Sequence, residues 1–257
     1  MVPAWLSILD AIVAVLLVVI GVVGAHMEVI PPMTGFLMFL LSFAIAILAL
    51  LFGLIGFART SAPERRPGRP KAIAGIVLGL LVAVPVGLTM WRWMSMGLPL
   101  SARPYPAIND ITTDYENPPT FVKPPGLSAD SMKYDRAKFE PVQRKEYPKL
   151  DPLRLDEKPD DVFAKVKAAS NTMPGWLIVY VDPATRTIEG IDTSYLFRFN
   201  DDFAIQVRPG SDADSSLVEM RSRSRDGTGD FGVNYRRIRG FFRILKSGSG
   251  ATTASPS

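Results

Sequence analysis

Three apolar runs in the first 95 residues constrain this chain more than anything that follows them. They extend from about Trp5 to Ala25, Phe36 to Phe57 and Ala72 to Trp93. At roughly 1.5 Å per residue, runs of 21 or 22 residues match a hydrocarbon core about 30 Å thick. A backbone in lipid must satisfy its own hydrogen bonds, and an uninterrupted apolar run can do so only as a helix. Residues 1–97 are therefore expected to form a three-helix transmembrane bundle.

Charge sets the expected orientation. The connection between the second and third runs, "ARTSAPERRPGRPK", carries Arg59, Arg65, Arg66, Arg69 and Lys71, whereas "HMEVIPPMTG" before the second run has no Lys or Arg. The positive-inside rule places the basic loop in the cytoplasm. Three crossings then give a multi-pass inner-membrane protein with a cytoplasmic N-terminus and a periplasmic C-terminal domain. Val23-Gly24-Ala25 also has the look of a signal-peptide cleavage site, but the run lacks a basic n-region and Asp10 interrupts it. Small residues at Gly21/Gly24, Gly53/Gly56 and Gly75/Gly79 offer faces for close helix contact, inside the bundle or at a homo-oligomer seam.

The sequence pI near 9.3 suggests a polyanion partner until the charges are placed. Residues 101–257 hold 23 Lys+Arg against 22 Asp+Glu, a net of +1, so this part has no global basic field. Nucleic acid is not an expected partner for such a domain outside the cytoplasm. The lone histidine, His26, ends the first apolar run, and cysteine is absent. A Ser-His-Asp triad and a thiolate or imidazole metal site are thus excluded from residues 98–245, and no cofactor is expected.

The segment 98–155 is rich in Pro and Tyr and shows no clean period, so it is expected to be irregular and to wrap the domain. Regular structure starts at "KPDDVFAKVKAASNTM", where Pro159, Asp160 and Asp161 suit a first helical turn and Phe163, Val166 and Ala169 share a face. Four strand-like runs follow: "WLIVYV", "TIEGIDTSYLFRF", "FAIQVRP" and "SLVEMRSRSR". Turn chemistry between them predicts an antiparallel meander in which Tyr195, Phe197 and Phe199 alternate on one side of their strand. Arg221, Arg223 and Arg225 alternate likewise on theirs. A closing helix over about 232–245 sets Ile238, Phe241, Phe242 and Leu245 against Arg236, Arg239 and Arg243. The predicted fold class is α+β: a four-stranded antiparallel sheet flanked by two helices on one face, with the other face open. Residues 246–257, "KSGSGATTASPS", read as a disordered tail.

Gly227, Gly229 and Gly232 stand in G-x-G-x-x-G spacing between the last strand and the last helix. A dinucleotide site needs a buried apolar strand before such a turn and a second strand after the helix, and this chain supplies neither. The plainer role is a tight strand-to-helix turn, with Asp230 capping the helix or pairing with an arginine. The other polar concentration is "NDITTDYEN", where Asp110, Asp114 and Glu116 stand among Asn109 and Asn117. It suits carboxylate acid/base chemistry or a cap-and-turn network.

The blocks "NDITTDYENPPTF" and "RSRSRDGTGDFGVNYRRIRGF" together resemble a bacterial and plastid domain-of-unknown-function family, numbered fourteen-ninety-nine, over about residues 105 to 245. Hydrophobic segments before the domain are similar to the layout of that family. The resemblance brings no activity with it. It does imply that the blocks belong to one site or one core, pairing Asp110, Thr113 and Asn117 with Arg221, Arg223, Arg225, Asp230, Asn234 and Arg237. With Asn109 and Asp114, these are the candidate binding or polar-network residues. Two functional classes follow: a membrane-anchored binding or accessory module for an envelope lipid, an anionic glycan or a protein partner, and a cell-envelope hydrolase using carboxylate chemistry.

Overall fold

The computed structural model describes residues 2–60, 68–95, 108–128, 130–147, 150–212 and 214–248. The centre of the basic loop (61–67), the start of the wrapping segment with Tyr105 (96–107) and most of the tail (249–257) lie outside the described residues. The chain divides into two compact units. One comprises Met1–Gly97 with Tyr195–Arg198; the other comprises Leu98–Ser194 with Phe199–Ser257.

In the first unit, the three apolar runs form helices α1 (Val2–His26), α2 (Pro32–Arg59) and α3 (Arg69–Ser95), each long and apolar enough to cross a membrane. Many of their leucines and valines are exposed, while alanine, glycine and serine, with Val82 and Val86 of α3, fill the seams. This inversion of the soluble pattern suits a lipid surround, which is as apolar as leucine and leaves close backbone approach to drive packing. At Gly75 a Cβ would fall 1.9 Å from Ser7 Oγ. Gly21 and Gly35 pack so closely that a Cβ on Gly21 would lie 2.9 Å from the Gly35 carbonyl oxygen. Gly21, Gly53, Gly56, Gly75 and Gly79 are all buried within this unit.

The second unit holds one sheet of six strands, not four. Strands β3 (Trp176–Asp182), β4 (Thr187–Thr193), β5 (Asn200–Pro209) and β6 (Ser216–Ser224) form the predicted antiparallel meander. Two three-residue strands from the segment read as irregular, β1 (Asp110–Thr112) and β2 (Leu153–Leu155), both pair antiparallel with β6 on its other side. Strands this short carry no detectable period, which is why the sequence does not reveal them. A third helix, α4 (Arg136–Glu146), likewise adds to the expected pair, α5 (Pro159–Thr172) and α6 (Val233–Gly248). It contains Pro141 and buries only Phe139 and Gln143, a weak amphipathic signal. Because α6 continues through Gly248, the first residues assigned to the tail are helical.

Alternation decides what each face of the sheet meets. Ile188, Phe203, Ile205, Val207, Val218 and Met220 point to one side and join Val162, Phe163 and Val166 of α5 and Ile238, Phe241 and Leu245 of α6 in a filled core. Trp176 stands 4.0 Å from the Phe203 ring centroid and 5.1 Å from that of Phe241, closing the layer. The opposite face, expected to be open, is covered by the chain between β1 and α4. Phe121 and Met132 pack there on Ala204, and the Glu189 carboxylate accepts the Val122 and Lys123 amides at 2.6 and 3.0 Å.

One strand is shorter than predicted. β4 stops at Thr193, and Ser194–Phe199 make a turn in which the Ser194 amide donates to the Phe199 carbonyl at 2.8 Å and Arg198 takes a φ of 62°. Tyr195, Phe197 and Phe199 therefore do not alternate along a strand; their β-like composition misplaces the boundary.

Candidate functional site

The register of β1 against β6 builds the polar core. Asp110 faces Arg223, Ile111 faces Ser222 and Thr112 faces Arg221. In an antiparallel pair, opposed residues share a face, so Asp110 lies with the arginines beneath the wrapping segment while Ser222 turns toward α6. The two sequence blocks thus meet at one end of the sheet, but on both of its sides.

On the wrapped side, Arg221 and Asp110 form a two-pronged ion pair, with Nε to Oδ1 at 2.9 Å and Nη2 to Oδ2 at 2.7 Å. Both side chains are fully buried, at 1% and 0% exposure. Arg221 also donates to the Met132 and Pro119 carbonyls at 2.7 and 3.5 Å, with the rings of Phe121 and Tyr134 5.0 and 5.2 Å from its guanidinium carbon. Arg223 sits 4.0 Å from the same Asp110 and donates to the Ser131 carbonyl at 2.7 Å. Arg225 grips Asp202 with two bonds of 2.8 and 2.7 Å. The Arg221 and Arg223 contacts clamp the irregular segment to the sheet, whereas the Arg225–Asp202 pair ties the end of β6 to β5.

On the helix side, Arg237 of α6 occupies the centre. Its Nε donates to Asp192 at 2.9 Å, Nη2 to Asp201 at 2.6 Å, and Nη1 to Ser222 and Asn234 at 2.7 and 2.5 Å. Asn234 donates to Ser224 Oγ at 3.1 Å and to the Asn109 carbonyl at 3.3 Å. Asp230 accepts the Gly232 and Asn234 amides at 2.8 and 2.9 Å, satisfying donors in the first turn of α6 that have no intrahelical partner. Burial pushes its carboxyl up despite those amides. Gly227 and Gly232 take positive φ, 78° and 74°, as a tight turn between strand and helix requires.

Of the eleven candidate residues, nine cluster at this end of the sheet. Asn109 bridges to the turn, its Nδ2 donating to the Gly227 carbonyl at 2.8 Å. Thr113 extends the β1–β6 ladder through its amide to the Met220 carbonyl and its Oγ1 to the Met220 amide, both at 3.0 Å. Asp114 and Asn117 go elsewhere. Asp114 accepts the Glu116 and Asn117 amides at 2.8 and 3.1 Å in a local turn and stands 3.8 Å from Arg208. Asn117 contributes its carbonyl to Arg208 at 2.8 Å. Glu116 is an exposed partner of Arg136.

Some residues carry more than their sequence context signals. Gln143 of α4 presents its amide to β1 as a further strand would, accepting the Thr112 N–H at 3.0 Å and donating to the Thr112 carbonyl at 2.6 Å. Glu189 and Asp192 fall inside one strand-like run and Asp201 and Asp202 between two, and only the register of β4 and β5 fixes which side of the sheet each serves. Glu219 lies opposite Gln206, is 3% exposed, and has Arg208 Nε at 3.1 Å. Burial pushes its carboxyl from an ordinary 4.5 to about 7; Arg208 opposes the shift and Asp114 adds to it.

That shift has a measurable sign. Between pH 4.5 and about 7 the folded chain holds a proton at Glu219 that the unfolded chain has lost. Stability contributed by this group is thus greatest at the acid end and falls as pH rises through the window. Thermal melts of the full chain in detergent should show Glu219→Gln gaining on the parent as pH rises to about 7, and not beyond. Parallel pH profiles for the two proteins would contradict the assignment.

The family model described as "Protein of unknown function (DUF1499)" matches residues 110–245. No curated protein matches the chain.

Proposed function

The chain belongs to the DUF1499 family, and we propose that it is an integral inner-membrane protein whose periplasmic α+β domain is a binding or accessory module for an envelope lipid, glycan or protein partner. One observation carries this reading. Arg221, Arg223, Arg225 and Arg237 are all held by carboxylates of the same domain, Asp110, Asp192, Asp201 and Asp202, which makes them a scaffold, while Arg236 and Arg239 of the second block lie on the surface of α6 without a carboxylate partner among the described residues. Native mass spectrometry of the full chain released from nanodiscs tests it. A co-purifying lipid, glycan or protein at defined stoichiometry is the expected result; a bare polypeptide would overturn it.

Glu219 favours a second reading, a hydrolase with carboxylate acid/base groups. A carboxyl held near 7 is suited to donate a proton, and Asp114 shares Arg208 with it. Turnover of a glycoside or ester panel by the parent and not by Glu219→Gln would establish that reading.

A further inference from the structure

The outward face of α6 is unlike the rest of the sheet unit. Arg236, Arg239, Arg243 and Lys246 recur at three- and four-residue intervals and so form one stripe, opposite the buried Ile238, Phe241, Phe242 and Leu245. Every other described arginine of this unit lies within 4.0 Å of a carboxylate. Among the described residues, Arg236, Arg239 and Arg243 have no such partner. Arg236 donates to the Phe231 carbonyl at 3.0 Å and Arg239 to the Tyr235 hydroxyl at 2.9 Å, both neutral acceptors that leave the charge uncompensated. After Asp230 the sequence contains no acidic residue at all.

Apolar side chains are exposed beside these cations: Phe231 at 55%, Val233 at 37% and Ile244 at 42%. A Cβ on Gly240 would meet open space, so the arginines flank a strip of bare helix that a ligand can approach closely. Basic residues interleaved with exposed apolar ones suit the boundary between headgroups and acyl chains.

We propose that this face docks on anionic lipid headgroups of the bilayer entered by the chain's own apolar helices. The assignment rests on the reading of the chain as a membrane-held binding module and names that module's ligand. Charge complementarity supplies the attraction, and attachment to the membrane in the same chain removes the cost of encounter. A protein partner with paired carboxylates would exploit the planar guanidinium fork; a diffuse anionic surface asks mainly for positive charge, so lysine can replace arginine there.

Because the chain has no cysteine, Ser247→Cys provides a single labelling site at the end of the stripe. The full-length labelled protein would be placed in nanodiscs of phosphatidylcholine, with or without phosphatidylglycerol, each doped with a headgroup spin label. Quenching of the dye is expected in the phosphatidylglycerol discs, weak in phosphatidylcholine alone, and lost in 0.5 M salt as screening shortens. Arg236, Arg239 and Arg243 together replaced by Gln should lower the docked-to-free ratio by roughly fivefold per arginine, and replacement by Lys should retain it. An unchanged circular-dichroism melt identifies the Gln variant as folded. Quenching equal in the two lipids, or indifferent to the Gln variant, overturns the lipid assignment. If a glycan or protein co-purifies in that case, the broader binding reading stands; if nothing does, both fall.

Discussion

Replacing Asp110 with Ala is expected to destabilise the sheet domain by about 3–5 kcal/mol, because it leaves the Arg221 guanidinium buried without its counter-charge. For a domain of this size that corresponds to a fall in melting temperature on the order of 10 °C. The cost is large because Arg221 has no route to water: it is 1% exposed, close to two aromatic rings and tied to two carbonyls of the wrapping segment. Loss should therefore spread to that segment, and amides at 113–134 should exchange faster by hydrogen–deuterium exchange than those of α5. Asp110→Leu combined with Arg221→Met removes both charges and is expected to recover much of the stability. A melt of Asp110→Ala within 1–2 °C of the parent, on the scale of an exposed pair, would show that the ion pair does not lock the segment.

How much of this could be read from the residues depends on which physical signal each part carries. The apolar helices are legible because the capacity to cross a membrane requires length and composition together, and the predicted limits differ from α1–α3 by only a few residues at each end. The meander β3–β6 is legible because its strands are long enough for alternation to show. β1 and β2 are not, since three residues such as Asp110–Thr112 contain a single alternation, and their existence depends on β6 offering a free edge. The alternation of Arg221, Arg223 and Arg225 is legible, and it does put all three on one face. Nothing local signals that Asp230, Asn234 and Arg237, in the same block, serve the opposite face. That distinction follows from the pairing of Ile111 with Ser222, a tertiary fact with no local signature. Asp114 shows the same limit from the other side. It shares a run with Asp110, yet the chain leaves β1 after Thr112, so its carboxylate closes a turn instead of joining the arginines.

Removing Arg237 is expected to cost as much as removing Asp110, by a separate route. Arg237→Leu strands the Asp201 carboxylate, which is 10% exposed, along with Ser222 and Asn234, so a loss of about 3–5 kcal/mol is again expected. Lysine is not a remedy, because one ammonium cannot span the four acceptors that the planar fork reaches: Asp192, Asp201, Ser222 and Asn234. The more telling measurement is the coupling between the two clusters. Their charged side chains share no partner and lie on opposite sides of the sheet. A double-mutant cycle with the milder Asp110→Asn and Arg237→Lys should therefore show effects that add within about 0.5 kcal/mol. A coupling of 1 kcal/mol or more would mean that the β1 and β6 backbone, or the Asn234 bond to the Asn109 carbonyl, transmits between the faces. The two sequence blocks would then act as one unit, as their resemblance to the family implies, and not as two clamps sharing one end of a sheet.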